Sequence, residues 1–124
     1  MLKIFIDERS CSNSMAWKCG VCNFIWEGDS PPENCPKCGA PAEKFVQLSH
    51  DEKSLIERSR KSNALHIELL AVLPRLLEIA EEGIKDDLDP RCVTLFKRLQ
   101  SEARFLTASA KAELEGHMKK NKWG

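Results

Sequence analysis

Apolar residues in the second half of the chain recur at helical spacing. Leu65, Leu69, Val72, Leu76 and Ile79 repeat at intervals of 4, 3, 4 and 3, and His66, Leu70, Leu73, Leu77 and Ala80 repeat the pattern one residue later. Two adjacent seams make a face wide enough to contact more than one helix, while Glu68, Arg75, Glu78 and Glu82 form a solvated stripe opposite. Pro74 lies inside the pattern, where it removes one hydrogen bond and crowds the carbonyl of Leu70, which predicts a kink or break. Gly83 and the acids Glu81, Glu82, Asp86, Asp87 and Asp89 read as the following turn. Asp89 then has the chemistry of an N-cap and Pro90 that of a first helical residue, since proline lacks the N–H left unbonded there. From that start Cys92, Phe96, Leu99, Ala103, Leu106 and Ala110 recur at 4, 3, 4, 3 and 4, predicting a second helix of roughly 45 Å that ends near Lys119. Two such helices joined by a short turn form an antiparallel hairpin. Its wide apolar face is half covered, so the pattern predicts a homodimer through the helices, with the face around Leu69, Leu73 and Leu76 buried between chains.

The first half reads differently. A short lead, 1–16, holds one apolar run, Ile4-Phe5-Ile6, which fits a single edge strand, and a polar run that includes Cys11. A Cys-, Pro- and Gly-rich block follows at 17–48, and the helical tract occupies 49–124. Charge changes the picture only by exclusion. The block carries three Lys against four acids, the tract 14 basic residues against 13 acidic, and the whole chain 19 of each sign. Without a cationic excess there is no electrostatic footprint for nucleic acid or an anionic membrane surface. No stretch approaches the ~20 apolar residues of a spanning helix, and the lead lacks a signal-peptide core, so a cytoplasmic protein is expected.

The candidate chemistry sits in the block. Cys19-Gly20-Val21-Cys22 and Cys35-Pro36-Lys37-Cys38 are separated by 12 residues, and each pair presents two thiolates from a tight knuckle. In a reducing compartment such pairs bind metal more readily than they form structural disulfides. Four soft thiolates in a tetrahedral array select zinc or iron. A block of about 32 residues is also too small to hold together by apolar burial alone. After the second Cys of each knuckle the backbone needs left-handed geometry, which Gly39 supplies freely and Asn23 tolerates best among the other residues. Trp17, Phe24, Trp26 and Phe45 are the candidate aromatic core around the site.

Neighbouring residues separate the metals further than spacing does. The run Trp17-Lys18-Cys19-Gly20-Val21-Cys22-Asn23-Phe24-Ile25-Trp26-Glu27-Gly28-Asp29, with Pro31-Pro32, the Cys35-Pro36-Lys37-Cys38-Gly39-Ala40-Pro41 knuckle and Lys44-Phe45, resembles the short-loop rubredoxin-like domain of rubrerythrins. The resemblance implies one iron per chain held by Cys19, Cys22, Cys35 and Cys38 and cycling between ferric and ferrous, hence a one-electron transfer protein with a redox partner protein. The resemblance and the helical periodicity together give the expected fold class: a small α+β metal-bound module, a rubredoxin-like knuckle domain, followed by an all-α part, the long helical hairpin. Asn23 stands where the family usually has Gly. Zinc ribbons use similar knuckles, so a zinc-stabilised interaction or dimerisation module is the alternative.

Rubrerythrins pair this domain with a four-helix bundle that holds two irons through Glu residues and Glu-x-x-His motifs. The tract does not contain them: Gln47, Asn63 and Leu114 stand three residues before His50, His66 and His117. Peroxidase activity is therefore not inherited, and no catalytic residue is expected. Glu113 and His117 at i, i+4, with His66 on the first helix, are the closest approach to a second site and read first as a helix-end ion pair and a polar seam residue. Cys92 reads as a small buried hydrophobe, and the basic end Lys119, Lys120 and Lys122 as a solvated terminus that complements the helix dipole.

Overall fold

The computed structural model describes residues 14–124, so the Ile4-Phe5-Ile6 strand and Cys11 lie outside the described residues. Three short strands come first: β1 (Ala16–Cys19), β2 (Ile25–Glu27) and β3 (Phe45–Gln47), the last preceded by a 3-10 turn at Ala42–Lys44. They form an antiparallel sheet in the order β2-β1-β3, with Trp17 opposite Trp26 and Cys19 opposite Phe45. Two helices follow, α1 (His50–Asp86) and α2 (Pro90–Lys119). The chain divides into two compact units, one of Lys61 and the described residues before it with Lys120–Gly124, the other Ser62–Lys119.

The first unit holds the sheet and the opening turns of α1. Helix α1 starts at a reciprocal cap in which Ser49 Oγ accepts from the Glu52 amide (3.1 Å) and the Glu52 carboxylate accepts from the Ser49 amide (3.0 Å). The Ser49 amide first, and the Ser49 hydroxyl after it, hold the Glu52 carboxyl below its ordinary value. The apolar count places the helix some 15 residues too late, because the buried positions of its first turns include the polar Glu57, Ser59 and Asn63. The C-terminal residue packs into the same unit: a Cβ on Gly124 would lie 2.7 Å from Ile56, and Gly124 O accepts from Arg60 Nε (2.9 Å). Arg60 also pairs with Glu27 of β2 at 3.0 Å.

In the second unit the two seams of α1 separate. The seam of His66, Leu73 and Ala80 turns inward, as do Ala103, Ala110 and Leu114 of α2; Leu73, 1% exposed, is thus covered within the chain and not between chains as its seam position suggested. The other seam is open in its first half, with Leu65 and Val72 each 51% and Leu69 38% exposed, whereas Leu76 and Ile79 are half-buried. Helix α2 begins as its sequence predicts, with Asp89 Oδ1 accepting from the Cys92 amide at 2.8 Å.

α1 continues through Pro74 without a break, with the proline inside the helix. One local expectation is corrected. Gly83 lies inside α1 and not in the turn, which falls at Asp87–Asp89 with Asp87 in the left-handed region (φ 49°). Gly83 is needed for space: a Cβ there would sit 2.2 Å from the Phe96 ring. Gly83→Ala is accordingly expected to destabilise the hairpin by about 1–3 kcal/mol, despite alanine's better helix propensity. Urea unfolding followed by circular dichroism measures this, and an unchanged or raised midpoint would contradict the packing.

Candidate metal centre

Each knuckle is a tight turn that aims two sulfurs at one point. In the first, the Asn23 amide donates to Cys19 O (2.9 Å) and Asn23 takes φ 67°; in the second, the Gly39 amide donates to Cys35 O (2.9 Å) and Gly39 takes φ 78°. The equivalence explains the residue choice, since the left-handed region costs L-residues roughly 1–2 kcal/mol except Gly and, in part, Asn. Asn23→Val is expected to cost about that much in the urea stability of the metal-loaded protein, while Asn23→Gly costs nothing. Equal losses in both variants would mean that the Asn23 side chain, and not its backbone angle, is what matters.

The knuckles bring together all four sequence-predicted ligands. Their sulfurs lie within 4.8 Å of one another, with Cys19 and Cys38 3.7 Å apart and Cys22 and Cys35 3.6 Å apart. A tetrahedron with metal–sulfur bonds of about 2.3 Å has an edge of ~3.8 Å, so these spacings suit one tetrahedral ion. They are far beyond the ~2.05 Å of a disulfide, and the five described cysteines are free thiols.

The electrostatics also suit thiolates. Amides of Cys22 and Val21, together with the neighbouring sulfurs, outweigh burial and lower the Cys19 thiol below its ordinary value. Burial pushes Cys35 up, but the amides of Cys38 and Lys37 more than offset it, bringing the thiol to about 7. The Ala40 amide pulls Cys38 down, yet burial and the sulfurs of Cys22, Cys19 and Cys35 push it up to about 12. Four sulfurs this close cannot all ionise without a cation to share their charge, and a bound metal supplies that cation.

The surroundings keep one side dry. Cys19, Cys35 and Phe45 form a buried cluster against which Trp17, Phe24, Trp26 and Ala40 pack. Trp17 Nε1 donates to Gly28 O (3.0 Å), so its buried polar atom has a partner. Cys38 is exposed and Cys22 half-buried. Cys92 belongs elsewhere: its thiol lies 3.4 Å from Asp89 Oδ2, and that contact raises its pKa above the ordinary value. It is therefore a half-buried donor at a helix start, not the apolar core residue its seam position suggests.

A closed site of four thiolates on a small three-stranded sheet defines a knuckle-type metal-binding module. Residues 17–46 match the family model of the rubrerythrin rubredoxin-like domain. A stretch of 35 residues is 46% identical to reverse rubrerythrin-1 of Clostridium acetobutylicum, covering 28% of this chain and 19% of that protein. A stretch of 29 residues is 55% identical to a rubrerythrin of Clostridium perfringens, covering 23% and 15% respectively. No solved structure matches. The chain thus spans less than a fifth of the length of these curated relatives. The segment is a metal-binding rubredoxin-like domain of the rubrerythrin type, followed by a helical tract without the rubrerythrin di-iron motif. No helix among the described residues is long and apolar enough to cross a membrane.

Proposed function

We propose that the chain is a non-catalytic one-electron carrier whose centre is a single iron at Cys19, Cys22, Cys35 and Cys38, working in the cytoplasm with a redox partner protein. The observation that carries this reading is the closed tetrathiolate, which leaves no coordination position for substrate, within a rubredoxin-like sequence. When bound, iron supplies a ferric/ferrous couple that needs no change of ligands. The protein's own part is to hold the sulfurs at a fixed spacing, which keeps reorganisation small. Knuckle amides at Val21, Cys22, Lys37, Cys38 and Ala40 donate toward the sulfurs and stabilise the charge on them. Trp17, Phe24, Trp26 and Phe45 exclude water from the inner side, while the exposed Cys38 leaves a short path to the surface.

Spectroelectrochemistry of iron-loaded protein tests the proposal: one reversible electron per chain is expected. An iron-loaded centre that cannot be cycled would overturn it in favour of the second reading, a zinc-stabilised interaction module. That reading draws on the exposed seam of Leu65, Leu69 and Val72, which on either account is proposed as the contact with a second copy. Sedimentation equilibrium is expected to give a dimer that Leu69→Lys dissociates, and a wild-type monomer would remove the second copy.

A further inference from the structure

Outside the thiolate site, metal-ligating side chains of α1 and α2 meet within the unit 62–119. His66 of α1 and His117 of α2 stand edge to face with ring centroids 5.9 Å apart. His66 Nδ1 lies 2.7 Å from Ser62 O, and His117 Nδ1 lies 2.5 Å from Asn63 Oδ1. Both acceptors are carbonyl-type oxygens, which cannot donate, so each Nδ1 carries the hydrogen. In the neutral rings the lone pair then sits on Nε2. Asn63 is itself buried, at 5% exposure, so the orientation of His117 is fixed from behind by a group held in the core. An oxygen acceptor behind each Nδ1 and a lone pair at each Nε2 is the arrangement that outer partners impose on metal-ligating imidazoles.

A carboxylate stands beside His117. Glu113, one turn before His117 on α2, has Oε2 3.8 Å from His117 Nε2. That is too long for a hydrogen bond, but it is a separation that two donors can span across one ion with bonds of about 2.1 Å. Glu113 is 65% exposed and can turn, whereas His117 is 14% exposed and pinned. Among the described residues only the four thiolates have all their donor atoms within 4.8 Å of one another, so binding must draw the second set together.

We propose that His66 Nε2, His117 Nε2 and the Glu113 carboxylate bind one borderline divalent cation of the zinc class, with water completing the shell and the ion clasping α1 to α2. Two imidazoles and one carboxylate suit zinc better than the hard cations calcium or magnesium, and three protein ligands leave a position open. This site is independent of the thiolate centre and of the metal it holds.

The test uses the full chain with its thiolate site already saturated with zinc, titrated with further zinc by calorimetry. One additional equivalent is expected, together with a raised unfolding temperature. His66→Gln and His117→Gln should each weaken that equivalent by at least ~10-fold, since losing even the outer partner of a metal ligand costs that much. Absence of a second equivalent would overturn the site. Survival of the equivalent in His66→Gln would also overturn it, by reducing it to a chelate on α2 alone. Should the Gln variants fail to fold, nitrogen NMR of the wild type decides: added zinc should shift Nε2 of His66 and His117 and spare His50, which lies at the start of α1. A uniform response of all three histidines, or none, would contradict the proposal.

Discussion

Cys19→Ser is expected to abolish metal retention and unfold the sheet module while leaving the helical signal largely in place. Cys19 is fully buried at the centre of the Cys35 and Phe45 cluster, and its strand pairs with both β2 and β3. The module's strands have 4, 3 and 3 residues, too short to be stable as an isolated sheet. Metal binding of about 10–16 kcal/mol in comparable zinc sites is folding free energy here, because the four sulfurs converge only in the folded chain. Serine removes a soft ligand and leaves three crowded thiols around a buried hydroxyl. Elemental analysis should find no bound metal, and amide NMR should lose the dispersed strand signals. Far-ultraviolet dichroism should change little, since α1 and α2 contribute 37 and 30 residues. A Cys19→Ser protein that kept its strands without metal would mean that aromatic packing suffices.

Leu73→Ala is expected to have the second largest effect, a loss of about 2–5 kcal/mol from the helical hairpin. Leu73 is the largest fully buried side chain among the described residues, at 1% exposure. Truncating it removes its buried methyl groups and leaves a cavity that the surrounding side chains fill only in part. Against a typical total of about 5–15 kcal/mol, such a loss leaves little margin. Urea unfolding at 222 nm should show a sharply lowered midpoint. Leu69→Ala, on the exposed seam, should cost a single chain much less and act chiefly on self-association. Equal losses for the two variants at concentrations where the protein is monomeric would contradict the assignment of the inner seam.

These contrasts follow what a sequence can encode locally. The four ligands were legible because Cys-x-x-Cys pairs carry their chemistry in their spacing, and the left-handed position after each knuckle because Asn23 and Gly39 are the residue types that tolerate it. The start of α2 was legible from Asp89 and Pro90. The start of α1 was not, because Glu57, Ser59 and Asn63 are buried polar residues that a count of apolar positions passes over. The missed signal was the reciprocal pair Ser49 and Glu52. Gly83 was misread because its role depends on Phe96, a partner set by hairpin register and not by adjacent sequence. Register likewise decides that His117 meets Asn63 and His66, and that Leu73 is covered within the chain while Leu65, Leu69 and Val72 are not. Cys92 shows the same limit on a smaller scale: its spacing fits the apolar seam, but Asp89 claims its thiol.

The central claim is that the tetrathiolate holds a redox-active iron. Its most direct test is the visible absorption spectrum, with elemental analysis, of protein produced in iron-replete medium and of the same protein refolded with iron, before and after dithionite. The account predicts a red protein with one iron per chain that bleaches on reduction and recovers in air. A colourless protein that retains one zinc even when iron is offered would contradict it.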